Sequence, residues 1–183
     1  MLVTQTDLDG VLVLETKIFG DQRGFFTEAF NQGVFDAAIG RHVTFVQDNH
    51  SRSGRGVLRG LHYQLPPRAQ GKVVRVVTGR IFDVAVDVRR SSATFGHWTG
   101  VELSEEDPRQ LWIPPGFAHG FLVLSDRADV LYKTTDYYDA PCEVSLRWDD
   151  PDVAIRWPAI DVPFVVSAKD RAARPLRELP SFD

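Results

Sequence analysis

Along most of the chain the apolar residues come in short runs separated by Gly, Pro and Asp. Examples are "VLVLETKIF", "GFFTEAF", "HVTFVQDNH", "GVLRGLHYQL", "KVVRVVTG", "RIFDVAVDVRR", "HWTGVELS", "RQLWIPPG", "GFLVLS", "ADVLYKTTDYY" and "VSLRWDD". Runs of this kind, rich in Val, Ile, Phe, Tyr, Trp and Thr, predict strands, and their spacing predicts an antiparallel sandwich or barrel. Two segments break the pattern. "NQGVFDAAIG" predicts a short helix stopped at Gly40, and "SAKDRAARPLREL" predicts another near the C-terminus. The Pro-rich stretch from Trp157 onward predicts a surface wrap that does not extend a sheet. With no internal repeat, low-complexity segment or linker, residues 1–183 read as one domain, all-β with a few short helices.

Side-chain alternation indicates which residues share an interior. In "VLRGLHYQ" it assigns Leu58, Gly60, His62 and Gln64 to one face, and in "ADVLYKTTD" it assigns Val130, Tyr132 and Thr134 to one face. Polar groups among apolar ones on a single face predict a lined cavity. Arg59 has the opposite parity to His62, so the two share a pocket only if a bulge or turn intervenes, which Gly56 or Gly60 would permit.

Composition narrows the classes of function. The chain has 183 residues, 43% of them hydrophobic, enough for one well-buried core. Its 21 Lys and Arg against 25 Asp and Glu leave a net charge of −4, which argues against nucleic-acid binding through a broad basic surface. The one cysteine, Cys142, excludes an internal disulfide and reads as a packed side chain in a reducing compartment. The start, "MLVTQTDLDG", lacks a basic region followed by an apolar run, and no apolar stretch is long enough to span a bilayer. The expectation is a cytoplasmic protein without a membrane or nucleic-acid partner.

Two histidines carry the candidate chemistry, His62 in "RGLHYQ" and His119 in "PPGFAHGF". Either alone is more often a packed, hydrogen-bonded histidine than a functional one. As a pair, each beside a glycine in a strand-like segment, they can meet in one barrel mouth. "LWIPPGFAHGF" has the Pro-x-Gly-x-x-His pattern of the second cupin motif, in Pro114, Gly116 and His119. Metal-dependent cupins usually add a second His two residues after the first, and a Glu soon after. Here Gln64 holds that position, no Glu follows in "LPPRAQGK", and Lys72 would repel a cation, so no metal site is expected.

The segments "GDQRGFFTEAF", "QDNHS", "VLRGLHYQ", "QGKVVRVVTGRIFDVAVDVR", "IPPGFAHGF", "LYKTTDYYD" and "SAKD", in this order over most of the chain, resemble the dTDP-4-dehydrorhamnose 3,5-epimerase family. The resemblance implies a cupin-type antiparallel β-barrel (jelly roll), a homodimer, no cofactor, and a dTDP-4-keto-6-deoxyhexose substrate inverted at C3 and C5. It also implies roles. His62 is the base that removes the proton beside the C4 ketone, and an imidazole suits this because its ordinary pKa is about 6.5. Asp170 orients that imidazole, Lys72 faces the enolate oxygen, and Tyr132 is the acid that returns a proton. Arg23, Arg59 and Lys169 are assigned to the diphosphate, and Gln47, Asn49, Glu28 and Glu143 to hydrogen bonds with sugar and base. Phe26 and Tyr138 are assigned to stacking on thymine, and His119 to a hydrogen bond with substrate. Each has a plainer reading as well. Lys72 is also read as a snorkelling strand-end lysine, Tyr132 as a core tyrosine, and Asp170 as a solvated residue of a charged tail.

Three rivals remain. One is an enzyme that inverts only C3 or C5, or a ketoisomerase of the same sugars. Another is a metal-dependent cupin oxygenase, disfavoured by Gln64 and the missing Glu. The third is a non-catalytic sugar-binding cupin, which leaves His62, Lys72, Tyr132 and Asp170 together unexplained.

Overall fold

The computed structural model describes residues 1–180 and residue 182. Two large sheets face each other. One has the order β1 (Leu2–Gln5), β2 (Leu12–Glu15), β10 (Arg109–Ile113), β7 (Lys72–Thr78), β12 (Arg127–Thr134) and β5 (Gln47–Gly54). The other has the order β13 (Glu143–Ser145), β6 (Val57–Gln64), β11 (Phe117–Val123), β8 (Arg80–Asp87) and β9 (Trp98–Ser104), with β14 (Val165–Val166) added alongside β6. A separate hairpin, β3 (Ile18–Asp21) with β4 (Gly24–Thr27), pairs only with itself. The fold is the expected all-β jelly roll of cupin type, although its sheets remain two and do not close into one continuous barrel.

The core between the sheets is built from the inward positions of each strand, including Val74, Val76, Ile81, Ala85, Leu111, Phe121 and Val130. The outer face of the first sheet is capped by α1 (Gln32–Ile39). Asn31 accepts a hydrogen bond from the Val34 amide at its start, and Gly40 ends it at φ 73°, as the sequence predicts. The buried Phe35 ring meets Trp112 edge-on at 5.3 Å. Among the described residues no helix is long and apolar enough to cross a membrane.

The C-terminal part departs from expectation. "SAKDRAARPLREL" is not one helix; it forms α2 (Ala168–Arg171) and a separate 3-10 turn at Leu176–Glu178. Pro175 has no amide proton and disfavours helical geometry at Arg174, which instead bridges to Leu146. The wrap from Trp157 does cross the outer surface, where Trp157 packs on Phe82. It nevertheless extends the sheet at one point, because β14 runs parallel to β6 with Val165 opposite Val57 and Val166 opposite Leu58.

Simple alternation fails in β6, and the failure shapes the cavity. Phe121 pairs with Arg59 and His119 with His62, so Gly120 alone stands opposite both Gly60 and Leu61. The extra residue is a bulge. It puts Arg59 and His62 on the inner face together, while Leu58 and Leu61 both join clusters on the outer face. The expectation that Leu58 and His62 share a face is therefore corrected, and Gly60 supplies the bulge needed to bring Arg59 and His62 together. No other residue fits there. Gly60 has φ 118°, and a Cβ on it would lie 2.6 Å from the Gly120 Cα.

Candidate active site

A cavity of about 520 Å³ opens between the sheets, lined from both edge strands, β5 and β13. His62 and Arg59 reach it from β6, His119 from β11, Lys72 from β7, and Tyr132 from β12. Gln47 and Asn49 reach it from β5, Glu143 from β13, Lys169 and Asp170 from α2, and Tyr138 from the segment after β12. His62 and Tyr132 thus stand on facing sheets.

The bulge that turns His62 inward also prepares its partner. It leaves the Gly60 amide out of the ladder, and that amide donates to Asp170 Oδ2 at 3.4 Å. Asp170 Oδ1 lies 2.7 Å from His62 Nε2. The aspartate gets there because β14 docks on β6 and Ser167 caps the following turn, its hydroxyl accepting from the Asp170 amide at 3.1 Å. Burial pushes the Asp170 carboxyl up, but the hydrogen bonds and charge of His62, with those of Ser167 and Gly60, outweigh it and hold the group below the usual aspartate value. Asp170 is buried and paired, in contrast to the solvated tail residue that its local sequence suggests.

Lys72 is also buried, and its Nζ donates to the His62 carbonyl at 3.1 Å. Burial pulls its pKa down to about 8, with Asp83 and Glu143 opposing the fall. The snorkelling alternative does not apply. Burial raises the Tyr132 hydroxyl above its ordinary value, against the nearby charge of Arg59, so it holds its proton through neutral pH.

His119 is paired across the bulge with His62 and has its own aspartate. Its Nε2 lies 2.7 Å from Oδ1 of Asp83, a fully buried residue of β8 whose Oδ2 has no hydrogen-bond partner among the described residues. Sequence reading missed Asp83. The signal was present in "RIFDVAVDV", where an acid interrupts an apolar strand at an inward position just as His62 does in β6.

At the mouth, Glu143 Oε2 takes the Tyr138 hydroxyl at 2.9 Å and pairs with Lys169 Nζ. Burial works to raise Glu143, and these two hydrogen bonds overcome it and leave the carboxyl below its usual range. Gln47 donates to Asn49 and accepts from the Tyr138 amide, so it supports neighbours as well as lining the cavity. Arg59 Nε donates to Ser53 Oγ at 2.8 Å.

Three expected binding residues are not brought to this cavity. Arg23, Phe26 and Glu28 lie on or beside the β3–β4 hairpin, which joins neither large sheet. Arg23 is spent on Asp21, two residues away, and Phe26 is 68% exposed. Gln64, at the position where a metal-binding cupin would have a ligand, commits its side chain to the backbone of Arg68, Tyr137 and Asp139. Among the described residues no group of three or more His, Cys, Asp or Glu side chains is placed to hold a metal ion.

Comparison with known proteins identifies the family of the chain. The family profile described as dTDP-4-dehydrorhamnose 3,5-epimerase matches residues 5–178. A protein of that name from Shigella flexneri is 61% identical over 158 residues, spanning 86% of this chain and 87% of its own. The one from Pseudomonas aeruginosa is 53% identical over 182 residues, covering 100% of this chain and 99% of its own. Among solved structures, the dTDP-6-deoxy-D-glucose-3,5-epimerase of Legionella pneumophila in complex with dTDP-4-keto-L-rhamnose superimposes with a TM-score of 0.94 at 50% identity, covering 98% of this chain and 94% of that one. On a profile spanning nearly its whole length and relatives more than half identical, this chain belongs to the dTDP-4-dehydrorhamnose 3,5-epimerase family.

Proposed function

We propose that this protein epimerises C3 and C5 of dTDP-4-dehydro-6-deoxy-D-glucose, giving dTDP-4-dehydro-L-rhamnose in dTDP-L-rhamnose biosynthesis, without a cofactor. The observation that carries the proposal is the meeting, in one cavity, of the His62–Asp170 pair with Lys72 and Tyr132.

Each inversion begins when His62 takes the α-proton beside the C4 ketone and the C–H electron pair moves through carbon onto the ketone oxygen. Asp170 holds the resulting imidazolium. The enolate oxygen faces the Lys72 ammonium, a preorganised charge of the kind worth about 3 kcal/mol per donor in a dry site. Tyr132, on the facing sheet, then delivers its proton to the opposite face of the carbon, the C=O re-forms, and solvent restores both residues. At the mouth, Arg59 and Lys169 suit the diphosphate, Tyr138 suits the base, and His119, Glu143, Gln47 and Asn49 suit the polar groups of sugar and nucleoside.

A cytoplasmic homodimer belongs to the same reading. Phe19, Phe25 and Phe26 leave a broad apolar face exposed on the β3–β4 hairpin, and a second copy would cover it. Arg23, Phe26 and Glu28 then act on substrate only from such a copy, because their own cavity lies elsewhere in the chain.

Incubation with dTDP-4-keto-6-deoxyglucose in heavy water tests the proposal. Deuterium is expected at both C3 and C5, with turnover unchanged by exhaustive chelation. Deuterium at one carbon would select a mono-epimerase, and turnover lost to a chelator and restored by one divalent metal would select the metal-dependent rival.

A further inference from the structure

The segment that carries Tyr138 is held in an unusual way. Asp136, Tyr137 and Tyr138 belong to no helix or strand, and none of them makes a backbone–backbone hydrogen bond among the described residues. Side chains take up the backbone groups in their place: the Thr134 hydroxyl donates to the Asp136 carbonyl at 2.9 Å, Asp136 Oδ1 accepts from the Tyr137 amide at 2.7 Å, and three glutamines do the rest. Gln70 Nε2 donates to the Asp136 carbonyl at 2.7 Å, and Gln64 Nε2 donates to the Tyr137 carbonyl at 3.1 Å. The Tyr138 amide donates to Gln47 Oε1 at 3.2 Å, and the Asp139 amide donates to Gln64 Oε1 at 2.8 Å. Gln64 is buried and rooted in β6, two residues beyond His62, whereas Gln70 is half-buried in the loop before Lys72.

We propose that Gln64 and Gln70 are positioning residues that lock the 136–139 segment, so that the Tyr138 ring forms a fixed wall for the nucleotide end of the substrate. The inference rests on the reading above that Tyr138 meets the nucleobase. A segment fixed in advance spares the ligand the entropy of ordering it, so the lock acts on binding and leaves the proton transfers at His62 and Tyr132 alone. An amide is the side chain suited to this work. That of Gln64 donates to one backbone group of the segment and accepts from another, and that of Gln70 donates to one, without introducing a charge beside Glu143 and Lys169.

The test is a cycle of Gln70→Ala, Tyr138→Ala and the double variant, with Gln64→Leu measured alongside. Readouts are kcat, KM for the dTDP-4-keto sugar, and dTDP affinity by calorimetry. Gln70→Ala is expected to raise KM and weaken dTDP binding about 10-fold while kcat stays within about twofold. The double variant is expected to bind dTDP no more weakly than Tyr138→Ala alone, because the glutamine acts through the ring. Additive losses would mean that Gln70 touches the ligand itself, and unchanged dTDP affinity in folded Gln70→Ala would mean that the segment needs no lock. Either result overturns the inference. If Gln64→Leu does not fold, the Gln70 cycle decides alone. Full dTDP affinity in Tyr138→Ala would instead remove the nucleobase reading on which the inference stands, while normal Tyr138 dependence with a silent Gln70 removes only the inference.

Discussion

Two histidines line the cavity, each paired with an aspartate at the same 2.7 Å separation, and their surroundings differ. In the first pair, the His62 side chain is 29% exposed and its aspartate comes from 108 residues away, carried in by the C-terminal wrap. Asp170 has both carboxylate oxygens engaged. In the second, the His119 side chain is 8% exposed and its aspartate lies on the adjacent strand β8, with one oxygen unpartnered. Equal geometry therefore does not mean equal chemistry. An imidazole open to a ligand and backed by a satisfied carboxylate suits repeated gain and loss of a proton. The buried pair is a fixed element whose unsatisfied oxygen contributes negative charge near Lys72.

The hardest test of this contrast is His62→Asn. It is expected to lower turnover by about 10³-fold and to abolish solvent deuterium exchange at C3 and C5 with it, since no enolate forms. Product assay and proton NMR read the two signals, and exchange surviving in this variant would transfer the base role elsewhere. Next comes Asp170→Asn, which keeps the shape and removes the charge behind the imidazolium. A loss of roughly 10²-fold in kcat is expected. If Asp83→Asn costs as much as Asp170→Asn, the two pairs are equivalent and the contrast fails.

Tyr132→Phe is expected to separate two signals that His62→Asn removes together. Inversion falls by about 10²-fold, while His62 still forms an enolate and takes deuterium back on the original face, so exchange outlasts inversion. Equal loss of both would place Tyr132 before enolate formation.

The smallest expected effect belongs to Asp83→Asn, a loss of about 10-fold in kcat together with a moved pH profile. In the parent protein, turnover is expected to fall as pH rises through about 8, where Lys72 loses the proton that makes it an enolate partner. Tyr132, lifted by burial, is still protonated there. Asp83 is the first of the two charges that raise Lys72, so its neutralisation shifts the alkaline limb to lower pH. A limb that does not move would show that Asp83 acts only by packing.

Much of this site could be read from the sequence because strand alternation assigns faces locally. Val130, Tyr132 and Thr134 do share the inner face, and "IPPGFAHGF" does bring His119 into the cavity. The Asp170 assignment came from family resemblance alone, since nothing in "SAKD" reveals a buried carboxylate. Asp83 went unnoticed because its partner, His119, lies on another strand 36 residues away, and nothing in "RIFDVAVDV" itself points to that histidine. Arg23, Phe26 and Glu28 carry the family's motif, yet the hairpin that holds them pairs with neither large sheet and lies away from the cavity.

What the sequence determined by itself is most of the strands, the inward and outward faces where no bulge intervenes, as at Val130, Tyr132 and Thr134, and the short helix ended at Gly40. Each of these depends on a residue and its near neighbours, through side-chain direction, β-branching and the φ open to glycine. What only the tertiary structure decided is the bulge at Gly60 and the pairing that follows from it. A bulge is a relation between two strands. It exists because Gly120 on β11 lets the β6 backbone come close, and because Asp170, 110 residues away, accepts from the amide that the bulge releases. Alternation along one strand carries no information about either partner, and so His62 and Arg59 meet in the folded protein despite their opposite parity in the chain.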